Sequence, residues 1–277
     1  MGDAGGFGRR VDADRRVLDE RMRPHELADG SVVRMAVFGQ GPVLVCAPTV
    51  AELGFVYVPH IARLQERFTV VIYEPRVSVR ERVSVQDRAR ELAAVVDANG
   101  GRAHLLSWSD GGSAAYRFAA DNPDRCLSLT FLGLPDTYRF PGPLNGLAHL
   151  VYSGRLDRLV PGVAVRALLA WFLGGPRVPR RWLFAETGRL AELRGLLRFS
   201  ILPCMVEHRA DDPVPVPSLV VGGDRDTLVR PRQMRRFADV LGRQSSFVLI
   251  EGGEHMLGYA APGKVNDAVE DFLSRVA

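Results

Sequence analysis

The sequence predicts an α/β fold: a mostly parallel central sheet with helices on both faces, plus a helical cap insertion. Three observations predict it. Short, wholly apolar runs recur along the chain, helical stripes separate them, and one long proline-broken stretch interrupts the alternation. Apolar runs of about five residues suit strands buried on both faces, which is the condition of a parallel sheet between helical layers. Repeated strand-helix alternation is the pattern of such layered folds.

The elements follow in order. Residues 31–38 suit a strand, Gly39-Gln40-Gly41-Pro42 a turn, and residues 43–47 and 69–73 two buried strands. Between these two, residues 55–66 carry Val58, Ile61 and Leu64 at helical spacing, predicting a strand-helix-strand unit. Ser84 and Asp87 form a capping-box-like opening, after which Val85, Ala89, Leu92 and Val96 share one helical face. Gly100-Gly101 ends that helix and residues 103–106 begin another strand. Ala114, Ala115, Phe118 and Ala119 make the next helical stripe, and residues 127–132 the strand after it. The last third predicts strands at 218–221 and 247–250 and helices at 231–241 and 263–276.

Between residues 135 and 217 the alternation fails. This stretch is rich in Leu and Arg and is broken by Pro141, Pro143, Pro161, Pro176 and Pro179. It reads as an insertion with helices near 163–173 and 186–202, resting on a core built from residues 1–134 and 218–277. There is no internal repeat.

Composition narrows the function. The chain has 277 residues, 47% hydrophobic and 25% charged, the balance of a globular protein. No apolar run reaches bilayer length, and the first 23 residues lack the apolar centre of a secretory signal, so a cytoplasmic protein with no membrane partner is expected. Cys46, Cys126 and Cys204 are isolated and odd in number, suggesting neither a disulfide framework nor a metal site. The net charge of +4 comes from arginines scattered among acids, without the basic run and interleaved aromatics of a nucleic-acid binder. Nothing indicates a particular oligomer. The partner expected is a small-molecule substrate.

The strongest local signal is Leu105-Leu106-Ser107-Trp108-Ser109-Asp110-Gly111-Gly112, a buried strand running into a helix through small residues. Such a turn also fits a tight packing joint. As a nucleophile elbow it holds Ser109 in a strained conformation, which requires small residues two positions before and after it, here Ser107 and Gly111. The hydroxyl is then exposed at a helix N-terminus, where the Asp110 amide can stabilise an oxyanion.

In these residues the chain resembles the α/β-hydrolase family, and Trp108-Ser109-Asp110-Gly111-Gly112 is similar to the elbow of valacyclovir-hydrolase-type and related small serine hydrolases. The family motif is G-x-S-x-G; Ser107 replaces its first glycine. The resemblance implies an acid just past a late strand, matched by Asp226 in Gly222-Gly223-Asp224-Arg225-Asp226, with Asp224 a local rival and Asp136 a more distant one. It implies a base in the loop after the next strand, matched by His255 in Glu251-Gly252-Gly253-Glu254-His255. The order Ser, Asp, His is the family's order. His25, His60, His104, His149 and His208 lack such a setting.

Two positions depart from the family. Where members carry His-Gly after the third strand, this chain has Ala47-Pro48, leaving Thr49 as the expected second oxyanion donor. Where members often carry Arg-Gly-x-Gly-x-Ser, it has Arg76-Val77-Ser78-Val79-Arg80. The expected site is therefore catalytic Ser109, His255 and Asp226, with Asp110, Thr49 and Trp108 at the oxyanion and substrate, and no metal or organic cofactor. Hydrolysis of an ester, thioester or lactone of a small, partly apolar molecule is the first expectation. A cyclase, lyase or acyl transferase of specialised metabolism is the second, and a non-catalytic ligand-binding member the third. Leu147, Leu150, Leu168, Leu169, Trp171, Phe172 and Leu196 can line a pocket or simply pack the insertion down. Arg155, Arg158 and Arg166 can meet an anion or face solvent.

Overall fold

The computed structural model describes residues 4–139, 146, 149–150, 152–154, 161–190 and 192–276. The apolar runs fold as strands because they are dense in β-branched and aliphatic residues and bounded by turn formers. In chain order they are β1 (Arg23–Glu26), β2 (Val32–Phe38), β3 (Val43–Ala47), β4 (Thr69–Tyr73), β5 (Ala103–Trp108), β6 (Cys126–Leu132), β7 (Ser218–Gly223) and β8 (Ser245–Ile250). They form one sheet in the order β1-β2-β4-β3-β5-β6-β7-β8, antiparallel at β1/β2 and β2/β4 and parallel elsewhere.

The longer helices are α1 (Ala4–Asp19), α2 (Val58–Leu64), α3 (Val85–Ala98), α4 (Gly111–Asp121), α5 (Gly162–Leu173), α6 (Arg180–Thr187), α7 (Pro231–Leu241) and α8 (Pro262–Val276). Successive strand residues point to opposite faces of the sheet, so each strand feeds two cores. Leu44, Cys46, Ile72 and Leu106 pack with residues of α1, α2 and α8; Val45, Ala47, Val71 and Leu105 pack with α3, α4 and α7. The predicted Ser84 capping box forms, Ser84 Oγ accepting from the Asp87 amide at 3.1 Å while Asp87 accepts from the Ser84 amide at 2.9 Å.

Three segments differ from expectation. The N-terminal stretch forms helix α1, and β1 adds an edge strand. Residues 55–66 are not one helix: Ala51–Tyr57 is a 3₁₀ segment and α2 begins at Val58, since Pro59 is tolerated only in a helix's first turn. Residues 186–202 also break, because α6 ends at Thr187 and Glu192 takes a left-handed φ of 53°. Helical structure resumes at Leu193–Leu196, continues as a π turn over Leu197–Ile201, and ends with Leu202–Glu207.

α5, α6 and this broken run lie over the ends of the strands. Ser78 and Ser200 exchange hydrogen bonds, Ser78 N donating to Ser200 Oγ at 2.7 Å and Ser200 Oγ to Ser78 O at 2.8 Å, and the Val83 amide donates to Phe199 O. The valine-substituted loop 76–80 is thus a docking edge for these helices. Pro141, Pro143, Leu147, Arg155 and Arg158 lie outside the described residues. Among the described residues no helix is long and apolar enough to cross a membrane.

Candidate active site

Parallel strands deliver the loops that follow them to one edge of the sheet, which is where the predicted residues gather. Ser109 follows β5, Asp226 follows β7, His255 follows β8, and Thr49 follows β3. Ser109 has φ 53°, the strained left-handed turn of an elbow, and its amide donates to Leu132 O at 2.9 Å. A Cβ at Gly111 would sit 2.3 Å from Ala47 O, so only glycine lets α4 start so close to β3. Ser107 fills the family's first glycine position by turning its hydroxyl to Thr130 O at 3.2 Å.

The three side chains form a continuous relay. His255 Nε2 lies 3.0 Å from Ser109 Oγ, and His255 Nδ1 lies 2.8 Å from Asp226 Oδ2. A carboxylate only accepts, so Nδ1 carries the proton of the neutral ring and Nε2 is left to accept from the serine hydroxyl. The other Asp226 oxygen accepts from the amides of Leu228 (2.9 Å) and Val229 (2.8 Å), which fixes the carboxylate from behind. The imidazole and the Asp226 carboxylate are fully buried. Gly133 closes over the pair; a Cβ there would come within 3.3 Å of His255 Cε1 and 3.6 Å of Asp226 Oδ2.

The rival acids are engaged elsewhere. Asp224 Oδ1 accepts from the Gly252 amide at 2.6 Å, pinning the turn before His255, and Asp136 Oδ2 pairs with Arg236 at 2.9 Å. Three of the other five histidines hold structure: His60 with Asn266, His104 with Ser128 at 2.8 Å, and His208 with Pro135 O at 2.8 Å.

Trp108 supports this site with both of its N–H groups. Its indole donates to His255 O at 2.8 Å, and its amide donates to the Tyr57 hydroxyl, which in turn donates to Ala47 O at 2.6 Å. One buried tyrosine thereby ties the end of β3 to the elbow. Thr49 turns its hydroxyl to Trp108 O at 3.3 Å, leaving its amide as the group that can serve an oxyanion.

Sequence reasoning missed Arg88. It lies on α3, buried, and its guanidinium donates to Pro48 O at 2.9 Å, to Thr49 O, and to Asp110 Oδ2 at 3.3 Å. Burial raises the Asp110 carboxyl above its ordinary value, and Arg88 opposes that shift. The one available signal was helical phase, since Arg88 falls one turn before Leu92 on the inward stripe. Glu254 was missed too: its carboxylate accepts from the amides of Arg177 and Val178 at 2.8 and 2.9 Å, clamping the histidine loop to the inserted segment. Tyr138 neighbours Ser109, and burial pushes its phenol well above the usual range.

Above Ser109 lies a cavity of about 390 Å³ with an almost wholly apolar lining. Thr49, Val50, Ser109 and Asp110 face it from the core, and Leu168, Leu169, Phe172 and Leu196 from the inserted helices. Leu150 and Trp171 do not line it; both are exposed, with the Arg180 guanidinium over the indole. Arg166 lies over the Phe184 ring and donates to Phe184 O.

The fold is shared with known proteins. No curated protein matches the chain by sequence. Among solved structures, a thermophilic esterase from Thermogutta terrifontis superposes with a TM-score of 0.70 at 19% identity, covering 92% of this chain and 98% of that one. Carboxylesterase CesB from Bacillus subtilis gives 0.69 at 16% identity, covering 98% of both. The epoxide hydrolase CorEH gives 0.70 at 17% identity, covering 92% of this chain and 99% of that one. These likenesses speak to the fold, which hosts more than one reaction. The model of the alpha/beta hydrolase family matches residues 21–268, and the chain belongs to that family.

Proposed function

We propose that the protein is a serine hydrolase that cleaves an ester, thioester or lactone of a small, largely apolar substrate. The observation that carries the reading is the unbroken Ser109–His255–Asp226 hydrogen-bond relay at the floor of an apolar cavity. In this reading His255 takes the Ser109 proton as Oγ attacks the carbonyl carbon, and Asp226 holds the tautomer and stabilises the imidazolium. The tetrahedral oxyanion is met by the amides of Asp110 and Thr49. As the intermediate collapses, the bond to the leaving oxygen or sulfur breaks and His255 returns its proton to that atom. Water activated by the same imidazole then releases the acid from the acyl-enzyme. Every proton is moved by these residues, without a metal or organic cofactor.

Residues 135–217 act in this scheme as a cap that supplies most of the acyl-binding surface. The two altered loops, at Pro48 and at residues 76–80, are what would favour a rearranging enzyme instead. Packing accounts for one of them, since loop 76–80 docks on the inserted helices. Pro48 is accommodated because its carbonyl is held by Arg88.

A fluorophosphonate probe tests the proposal. The wild-type protein should be labelled and should hydrolyse medium-chain p-nitrophenyl esters, and Ser109→Ala should lose both, with kcat/KM falling by at least about 10³-fold. Undiminished labelling or turnover in the variant refutes it. Product analysis on host metabolite extracts separates hydrolysis from rearrangement, because hydrolysis leaves a free acid.

A further inference from the structure

Beside the triad, outside the apolar cavity, two adjoining grooves of about 490 and 350 Å³ share Asp136, Arg139 and Arg236. Their described lining brings five guanidiniums, Arg139, Arg209, Arg230, Arg232 and Arg236, against two carboxylates, Asp136 and Asp211. The Asp136 carboxylate is already held by Arg236. Among the described residues the other four arginines form no ion pair. Elsewhere among the described residues Arg63, Arg82, Arg117, Arg125 and Arg275 each lie on an acid while Arg67 and Arg102 do not, so the clustering of unpaired guanidiniums is what sets this surface apart.

The grooves share wall residues with the cavity above Ser109. Leu228, whose amide holds Asp226, lines both the second groove and the cavity above Ser109, and Met205 lines both the first groove and that cavity. Arg230 is four residues past Asp226, and Tyr138, beside Ser109, lines the first groove. A cationic surface therefore lies on the other side of walls that the acyl cavity above Ser109 shares. Clustered guanidiniums lacking acid partners present forked donors suited to phosphate oxygens.

We infer that this arginine groove binds a phosphate-bearing leaving group, so that the substrate is an amphipathic conjugate with an apolar acyl chain in the cavity and its phosphate on Arg209, Arg230 and Arg232. The inference rests on the proposed acyl transfer to Ser109: the acyl carbon bonds to Oγ, its bond to the leaving sulfur or oxygen breaks, and the phosphate-bearing thiol or alcohol departs with the proton from His255. The phosphate binds and is not itself transferred. It can belong to a nucleotide thioester or to a glycerophosphate ester, and paired substrates tell the two apart.

Octanoyl-coenzyme A is compared with octanoyl-N-acetylcysteamine, and octanoyl-glycerophosphate with octanoylglycerol, each pair differing in its phosphates. In one pair, kcat/KM should favour the phosphate-bearing member by at least about tenfold, and the winning pair names the source. That ratio should shrink at high salt. It should also fall several-fold in Arg230→Ser/Arg232→Gln, but not in Arg67→Ser/Arg102→Ser, which removes equal charge ahead of β4 and β5. Ratios near one in both pairs, or equal losses in both double variants, overturn the inference. A separate arm guards against failure of the hydrolase reading itself. The non-hydrolysable octyl-coenzyme A thioether should bind Ser109→Ala at low salt and bind at least about tenfold more weakly when Arg230 and Arg232 are also replaced. Binding without turnover of any ester would refute hydrolysis and sustain the groove. Absence of binding of both this thioether and the octyl ether of glycerophosphate, or equal binding by both proteins, refutes the groove.

Discussion

Arg88 reaches three groups that flank the proposed oxyanion donors: the carbonyls of Pro48 and Thr49 and the carboxylate of Asp110. Its job follows from Pro48, which cannot brace the loop with an N–H of its own. Replacing Arg88 with methionine leaves the Asp110 carboxylate buried without a cation, a change that costs about 3–5 kcal/mol. Adding Asp110→Asn should return most of that loss in urea denaturation. It should not restore kcat, because the carbonyls of residues 48 and 49 still lack their donor; equal recovery of stability and kcat would make Arg88 merely structural. Ser109, Asp226 and His255 were legible in sequence because small residues, glycines and strand ends mark them locally. Arg88 was not, because a charge on a helix reads as solvated and its partners lie 22 to 40 residues away.

α1 shows what element-level reading misses and why it matters to the site. Gly5, Gly6 and Gly8 lower its helix propensity, and only Phe7, Val11 and Leu18 are buried, so the stripe is too sparse to stand out. Its stability comes from tertiary packing: Phe7 meets the Trp182 ring edge-on at 4.8 Å, and Arg15 pairs with Glu186 at 2.6 Å. Both partners belong to α6, and Arg15 and Glu186 line the cavity, so α1 braces the inserted helices. Phe7→Ala should cost about 3–5 kcal/mol as a core truncation. It should also raise hydrogen exchange in α6 well before α7, on the far face of the sheet. Uniform protection loss in both helices would remove the bracing role. β1 escaped prediction for a related reason: Arg23-Pro24-His25-Glu26 is mostly exposed, and its pairing with β2 supplies what its composition lacks.

At the scale of the whole molecule, sheet order explains why three residues distant in sequence meet. β5, β6, β7 and β8 are parallel neighbours, so Ser109, Asp226 and His255 emerge at one edge, with β6 separating the serine's strand from the aspartate's. This was legible because strand alternation is written in the apolar runs; the burial of neutral histidines was not. Burial lowers His104 and His208 to about 4 from an ordinary 6.5. Between those values the unfolded chain binds protons that the folded chain refuses, so their contribution is intact above pH 6.5 and is lost as pH falls toward 4. Each contributes a slope approaching about 1.4 kcal/mol per pH unit. Asp110 and Glu91, raised by burial, act in the opposite sense, so the readout is a difference between proteins. Unfolding free energy measured in urea from pH 7 to pH 4.5 should fall less steeply in His104→Asn/His208→Asn than in wild type, even though the variant is less stable at pH 7. Parallel profiles would mean that these two histidines titrate alike in the folded and unfolded chain.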